Sequence, residues 1–204
     1  MGSHELFVEQ KFTEASKFVK ENSKVLDIGC YNGKLKEFLK NPEYYGIDID
    51  KKMIFNLTKK GINAKQADLN KDSLPFKNER FDYIFLMDVL EHVVDPRSLI
   101  MESKKRLKTG GRLIVTLPND YHILNKVRFL FNKHLTEDPF APFGHLHYFP
   151  IKSGEKFLAS CGLKIIKRVN LAPVKPKIIP GFIKKFLTNV FPQSFARDML
   201  YLVD

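Results

Sequence analysis

Apolar and polar residues alternate along this chain in two rhythms, and the switching between them sets the expected architecture. Phe7, Val8, Phe12, Ala15, Phe18 and Val19 recur near helical spacing with Lys and Glu between them, which predicts an amphipathic helix ending before Lys24. From there short apolar runs alternate with helical patterns. Strands are expected at 24–28, 44–47, 63–66, 81–87 and 112–117, and helices at 34–40, 51–60 and 96–107. The unbroken apolar run 83–87 suits a strand buried on both faces. Parallel neighbours need crossover connections, so this alternation predicts a parallel sheet covered by helices on both sides.

Beyond Pro118 the rhythm breaks. A helix is expected at 121–135, carrying Ile123, Leu124, Val127, Leu130 and Phe131, followed by the Pro- and aromatic-rich stretch DPFAPFGHLHYFP, and together they read as a lid or insertion. The pattern then resumes with a helix at 151–160 stopped by Gly162, a strand at 163–169, a basic amphipathic piece at 179–190 and a last strand at 199–203. The expected fold class is α/β: a doubly wound, Rossmann-like, mostly parallel seven-stranded sheet with helices on both faces and a lid insertion.

Composition narrows this picture little. With 204 residues and 44% hydrophobic content, the chain can build one core of ordinary size, so a single domain is expected. No apolar run approaches the length of a membrane span and no signal-peptide order opens the chain, which predicts a cytoplasmic protein. Gly2, Ser3 and His4 carry no functional weight. The two cysteines, Cys30 and Cys161, fit a reduced compartment without a disulfide. Charge is more informative: the net value is +11, and residues 151–204 hold ten Lys and Arg against Glu155, Asp198 and Asp204. Such a basic rim suits an anionic partner, whether an acidic small molecule, a phospholipid surface or nucleic acid, and equally a plain solvated surface.

The strongest chemical signal is VLDIGCYNGKL, residues 25–35. An apolar strand ends at Asp27, turns through Gly29 and Gly33, and opens a helix, so bare backbone and a helix N-terminus face an acidic group. The next strand ends in YYGIDID, where Asp48 stands about where a doubly wound fold keeps a carboxylate for ribose hydroxyls, with Asp50 as the alternative. Ala67-Asp68-Leu69 sets another carboxylate at the same sheet edge, suited to an adenine amino group or to capping a turn with Asn70. A dinucleotide-binding dehydrogenase is the competitor, but it uses G-x-G-x-x-G, whereas these glycines are spaced as Gly-Cys-Tyr-Asn-Gly.

These segments resemble class I S-adenosylmethionine-dependent methyltransferases, in particular the small-molecule, type 11 branch with the ubiquinone and menaquinone methyltransferases. DIGCYNG is similar to the family's first motif, with Tyr31 in place of its central glycine; a tyrosine there must point away from the methionine moiety or cover it. LPFKNERFDYIFLMDVLEHV is similar to the fourth-strand region through Phe81, Asp82, Leu90, Glu91 and His92, and TGGRLIVTLPN to the Gly-Gly turn and fifth strand. The resemblance runs over about 23–117 and continues more weakly through GHLHYF and SGEKFLASCGLKII. It implies an S-adenosylmethionine cofactor, leaving as S-adenosylhomocysteine. Its contacts would come from Asp27, Gly29, Cys30, Tyr31 and Gly33 at the methionine end, Asp48 and Ile49 at the ribose, Asp68 and Leu69 at the adenine, and Met87 at the end of the fourth strand. The implied layout is an N-terminal helix over 1–22, a cofactor-binding core over 23–118, a lid or acceptor insertion over 119–150 and C-terminal helices and final strands over 151–204.

Methyl transfer from a sulfonium needs alignment and exclusion of water more than covalent help. A hydroxyl or amine acceptor would also need a base, for which His147, His145, His92 and Glu91 are the candidates; Asp88, Glu91 and His92 follow the fourth strand and serve equally to cap the next helix. His145 and His147 form an H-x-H pair with no third ligand at motif spacing, so no metal is expected. The amphipathic segments 121–135 and 179–190 suit a substrate lid, a peripheral membrane surface or a dimer face. A competing function is a non-catalytic Rossmann-like protein binding nucleic acid or anionic lipid through its basic C-terminal region. The acceptor implied by the resemblance is a small molecule, anionic or lipid-like.

Overall fold

A computed structural model describes residues 3–131, 144–173 and 179–204. The expected helical residues 132–135 and the DPFAPF part of the aromatic stretch lie outside the described residues. The sheet is built from β1 (Lys24–Ile28), β2 (Glu43–Asp48), β3 (Asn63–Gln66), β4 (Phe81–Leu86), β5 (Leu107–Pro118), β6 (Ile165–Leu171) and β7 (Asp198–Val203), in the order β3-β2-β1-β4-β5-β7-β6. β1 pairs in parallel with both β2 and β4, so the chain leaves β1 toward one edge and returns on its other side to start toward the opposite edge. That reversal is the place where doubly wound folds bind ligands.

Period-two burial shows why helices cover both faces. Leu26, Ile28, Ile84 and Leu86 enter one core with Leu99 and Ile100 of α3 (Pro96–Lys104) and Leu158 of α5 (Ile151–Ser160). The alternate residues Val25, Tyr83 and Phe85 enter a second core with Phe7 and Ala15 of α1 (Ser3–Ser16). α2 (Lys51–Lys59) closes a smaller cluster through Ile54 and Leu57. Its start is fixed by Asp50, whose Oδ1 accepts from the N–H groups of Lys52 and Met53; α3 begins the same way at Asp95, with Pro96 in its first turn.

The expected elements are present with shifted ends. The segment after the first turn is a single 3-10 stretch, Lys34–Phe38, which buries Leu35 alone and so has no apolar stripe to extend an α-helix. α3 stops at Lys104 and β5 starts five residues earlier than the pattern predicts, because Leu107 already pairs with Phe81 across a register shift. β7 runs antiparallel to both β5 and β6, and Asp198 at its start lies beside Pro118 at the end of β5. β7 therefore adds a residue from the chain's last turn to the same sheet edge as the loops after β1 and β4.

Past β5 lie α4 (Ile123–Leu130), α6 (Gly181–Val190) and the single turn α7 (Pro192–Phe195). α4 buries no residue, and Leu130, Phe131, Phe182 and Phe186 are exposed. Among the described residues no helix is long and apolar enough to cross a membrane.

Candidate functional site

The turn after β1 is held against β2 from two sides. The N–H groups of Gly29 and Cys30 both donate to the Ile47 carbonyl, at 2.8 and 2.9 Å. Asp48 Oδ2 accepts from the Tyr31 N–H at 2.7 Å while its Oδ1 accepts from the Asp50 N–H. Gly29, Tyr31 and Gly33 all have positive φ, and a Cβ on Gly29 would sit 2.6 Å from Val89 Cγ2 in the loop after β4. The turn thus needs glycine at Gly29 both for its backbone angle and because two ligand-edge loops touch there. Tyr31 adopts a left-handed conformation and is 58% exposed, so the side chain points out of the turn and does not fill it.

Asp27 is buried at the end of β1, where Tyr44 Oη donates to its Oδ2 at 2.5 Å. Burial drives its carboxyl up to about 7 against the lowering effect of that hydrogen bond. The other expected cofactor residues spread along the edge. Cys30 is buried under α2, Ile49 is exposed beside Asp48, and Met87 is buried with the α1-facing core. Asp50, the alternative ribose carboxylate, is occupied as the α2 cap. Asp68 caps its own turn by accepting from the Asn70 N–H and pairs with Lys71 at 2.9 Å; these bonds hold its carboxyl below the usual range. Leu69, next to it, packs at the margin of the core.

A cavity of about 390 Å³ opens beside this edge, lined among others by Phe7 and Lys11 of α1, the loop residues Asp88, Glu91 and His92, and His145. Three expected catalytic groups come together there. The carbonyl of Glu91 accepts from the N–H groups of Leu146 and His147, which pins the 144–147 segment over the β4 loop and stacks His145 edge-on to His92 with ring centroids 5.0 Å apart. Ligand-capable atoms of Glu91, His92 and His145 lie within 4.8 Å of one another. Burial lowers His92, keeping the imidazole neutral, whereas the hydrogen bond that His145 donates to Asp120 raises His145. Burial pushes the Glu91 carboxyl up to about 8. His147 stands apart: its Nε2 donates to the Val93 carbonyl at 2.9 Å, outside the cavity wall.

Lys11 was invisible as a site residue in the sequence, although it falls on the Phe7–Ala15 stripe that faces the core. A lysine at such a position signals a buried partner, and here there are two: Lys11 Nζ pairs with Asp198 Oδ2 at 2.7 Å and with Asp88 Oδ2. Thr116 Oγ1 donates to Asp88 Oδ1 and accepts from the Asp88 N–H, fixing that residue's strained positive φ. Asn119, also buried, ties the end of β5 to the Ala196 carbonyl. No local pattern marks these residues, since each partner comes from a distant segment.

The family model for methionine biosynthesis protein MetW matches residues 9–197. A ubiquinone biosynthesis O-methyltransferase of Bartonella quintana is 35% identical over 106 residues, 48% of this chain and 42% of that protein. The first curated matches cover only 34% to 42% of the relatives' own length. Among solved structures, a chain of the Haloferax volcanii complex of the Trm112 methyltransferase activator with a methyltransferase superposes with a TM-score of 0.67 at 16% identity, covering 98% of this chain and 92% of that one. An S-adenosylmethionine-dependent methyltransferase of Mesorhizobium loti gives 0.65 at 17% identity, over 95% and 97% of the two chains. The strand order and antiparallel β7 of this chain are those of the class I S-adenosylmethionine-dependent methyltransferase fold, and the chain belongs to the MetW family.

Proposed function

We propose that this protein transfers a methyl group from S-adenosylmethionine to a small molecule held in the cavity beneath α1. The observation that carries this reading is the contact of the two loops at the strand reversal: Gly29 after β1 abuts Val89 after β4, which brings the cofactor turn and the acceptor cavity side by side. The donor set fits the nucleoside. Asp27 suits an amino-acid moiety, which the side-chain-free backbone at Gly29 and Gly33 lets approach closely; Asp48 retains lone pairs for ribose hydroxyls beyond the two it gives to backbone. Exposed Ile49 offers an apolar face to the base, with Asp68 and Leu69 at its edge. The open position of the Tyr31 ring leaves the turn accessible.

Bound S-adenosylmethionine supplies a methyl group on a cationic sulfur. The protein's own part is to orient the acceptor, to exclude water with Phe7 and α1, and to hold or remove the acceptor's proton. Neutral His92, with His145 and Glu91 beside it, supports that last role better than His147, whose Nε2 is already committed. A volume of about 390 Å³ suits a small acceptor. The O-methyltransferase names of the ubiquinone-biosynthesis relatives also favour one.

Calorimetry with S-adenosylmethionine, S-adenosylhomocysteine and nicotinamide dinucleotides tests the reading. Binding of the first two and not the third is expected; no binding of either sulfur nucleoside overturns it. Methyl incorporation from labelled donor into a metabolite extract then identifies the acceptor.

A further inference from the structure

We infer that Glu91, His92 and His145 form a binding site for one divalent transition-metal cation on the cavity wall. Two imidazoles and a carboxylate are the ligand set that Zn²⁺, Fe²⁺, Mn²⁺ and Co²⁺ accept, and the three donors already lie within 4.8 Å of one another. Local spacing conceals the trio, because the third ligand arrives from the segment pinned to the Glu91 carbonyl.

Two further observations point to a ligand. Glu91 is 1% exposed and its Oε2 is buried without any hydrogen-bond partner among the described residues, an arrangement that costs free energy unless a cation or donor faces it. Both histidines are also anchored through one ring nitrogen, as metal ligands commonly are. The Nδ1 of His92 faces the Gly144 carbonyl at 3.3 Å and the Nδ1 of His145 faces Asp120 Oδ2 at 3.1 Å, which fixes each ring and leaves Nε2 for a ligand. Three protein ligands leave coordination positions open, and all three residues line the cavity, so an acceptor oxygen could complete the shell. This last step rests on the methyl-transfer reading and makes His92 a ligand in place of a proton acceptor while the cation is bound; the cation site itself does not rest on that reading.

The test uses the full chain stripped with a chelator and then titrated with Zn²⁺ by calorimetry and with Co²⁺ by visible absorption. One saturable site per chain with a nitrogen-ligated Co²⁺ spectrum is expected. Glu91→Gln and His145→Ala should each weaken it at least a hundredfold, and Asp120→Asn, which only positions His145, about tenfold. Far-ultraviolet circular dichroism verifies that each variant is folded, and His92→Ala substitutes for any that is not. Absence of saturable uptake, or uptake unchanged in the folded variants, overturns the site. S-adenosylmethionine binding measured on the same samples separates the two readings: retained nucleoside binding without cation uptake sinks the cation site alone, while cation uptake without nucleoside binding supports the cation site and sinks the methyl-transfer reading.

Discussion

Lys11 of the first helix and Asp198 of the last strand meet at 2.7 Å inside the protein, so the two ends of the chain are locked together beside the cavity. Burial acts to lower the Lys11 ammonium, but Asp88 and Asp198 outweigh it and raise it. Lys11→Met should cost about 3 kcal/mol, because it leaves the buried Asp198 carboxylate without its cation and facing the part-exposed Asp88. Urea unfolding at neutral pH measures this. Desolvation at the part-exposed Asp88 is outweighed by the Lys11 charge, which keeps that carboxyl below its ordinary value, so its contribution is full above about pH 4 and is lost as pH falls further. The gap between wild type and variant should narrow in acid.

Asp27 gives a pH signature of opposite sign. Its carboxyl, raised by burial to about 7, binds a proton more tightly in the folded protein than in the unfolded chain, so stability falls as pH rises from about 4 through about 7. A ligand carrying an ammonium group favours the ionised form. Affinity for S-adenosylmethionine should therefore climb as pH rises through about 7 and level off above it, with proton release detected by calorimetry in buffers of different ionisation heat. Asp27→Asn should bind weakly with no such slope. Tyr44→Phe, lacking the hydrogen bond that lowers Asp27, should shift the rise to higher pH.

A packing test addresses the floor of the cofactor turn. A Cβ on Gly46 of β2 would meet Cys30 Sγ at 2.7 Å, so Gly46→Ala should destabilise by about 1–3 kcal/mol through overpacking. In a Cys30→Ala background the 2.7 Å contact with sulfur is removed and only the milder 3.3 Å contact with the residue 30 Cβ remains, so most of the loss should disappear. A thermodynamic cycle on the four proteins reads the coupling directly.

At Tyr31 the expectation is reversed. The residue holds φ at 45° with an exposed ring, a conformation that costs a non-glycine residue about 1–2 kcal/mol. Tyr31→Gly relieves this and loosens the unfolded chain, for a net change of about 0–1 kcal/mol toward stability. Nucleoside binding should survive the substitution; its abolition would mean that the ring covers the bound ligand.

The exposed face of α6 offers a contrast with these buried sites. Phe182→Ser and Phe186→Ser remove large apolar side chains that are 76% and 62% exposed, and each should change stability by less than about 0.5 kcal/mol. Thermal melts check this; a loss of several kcal/mol would reveal packing on that face.

Periodicity in the sequence by itself determined the strand–helix alternation, because alternate residues of β1 and β4 must each find an apolar layer. The turn after β1 was equally legible, since Asp27, Gly29 and Gly33 lie close in sequence and their spacing encodes one local turn. Tertiary structure alone decided the rest. The antiparallel insertion of β7, the burial of Lys11 between Asp88 and Asp198, and the meeting of His145 with Glu91 and His92 all depend on contacts between distant segments. A linear pattern records which face a residue presents; which partner it meets there follows only once strand order has closed the distance.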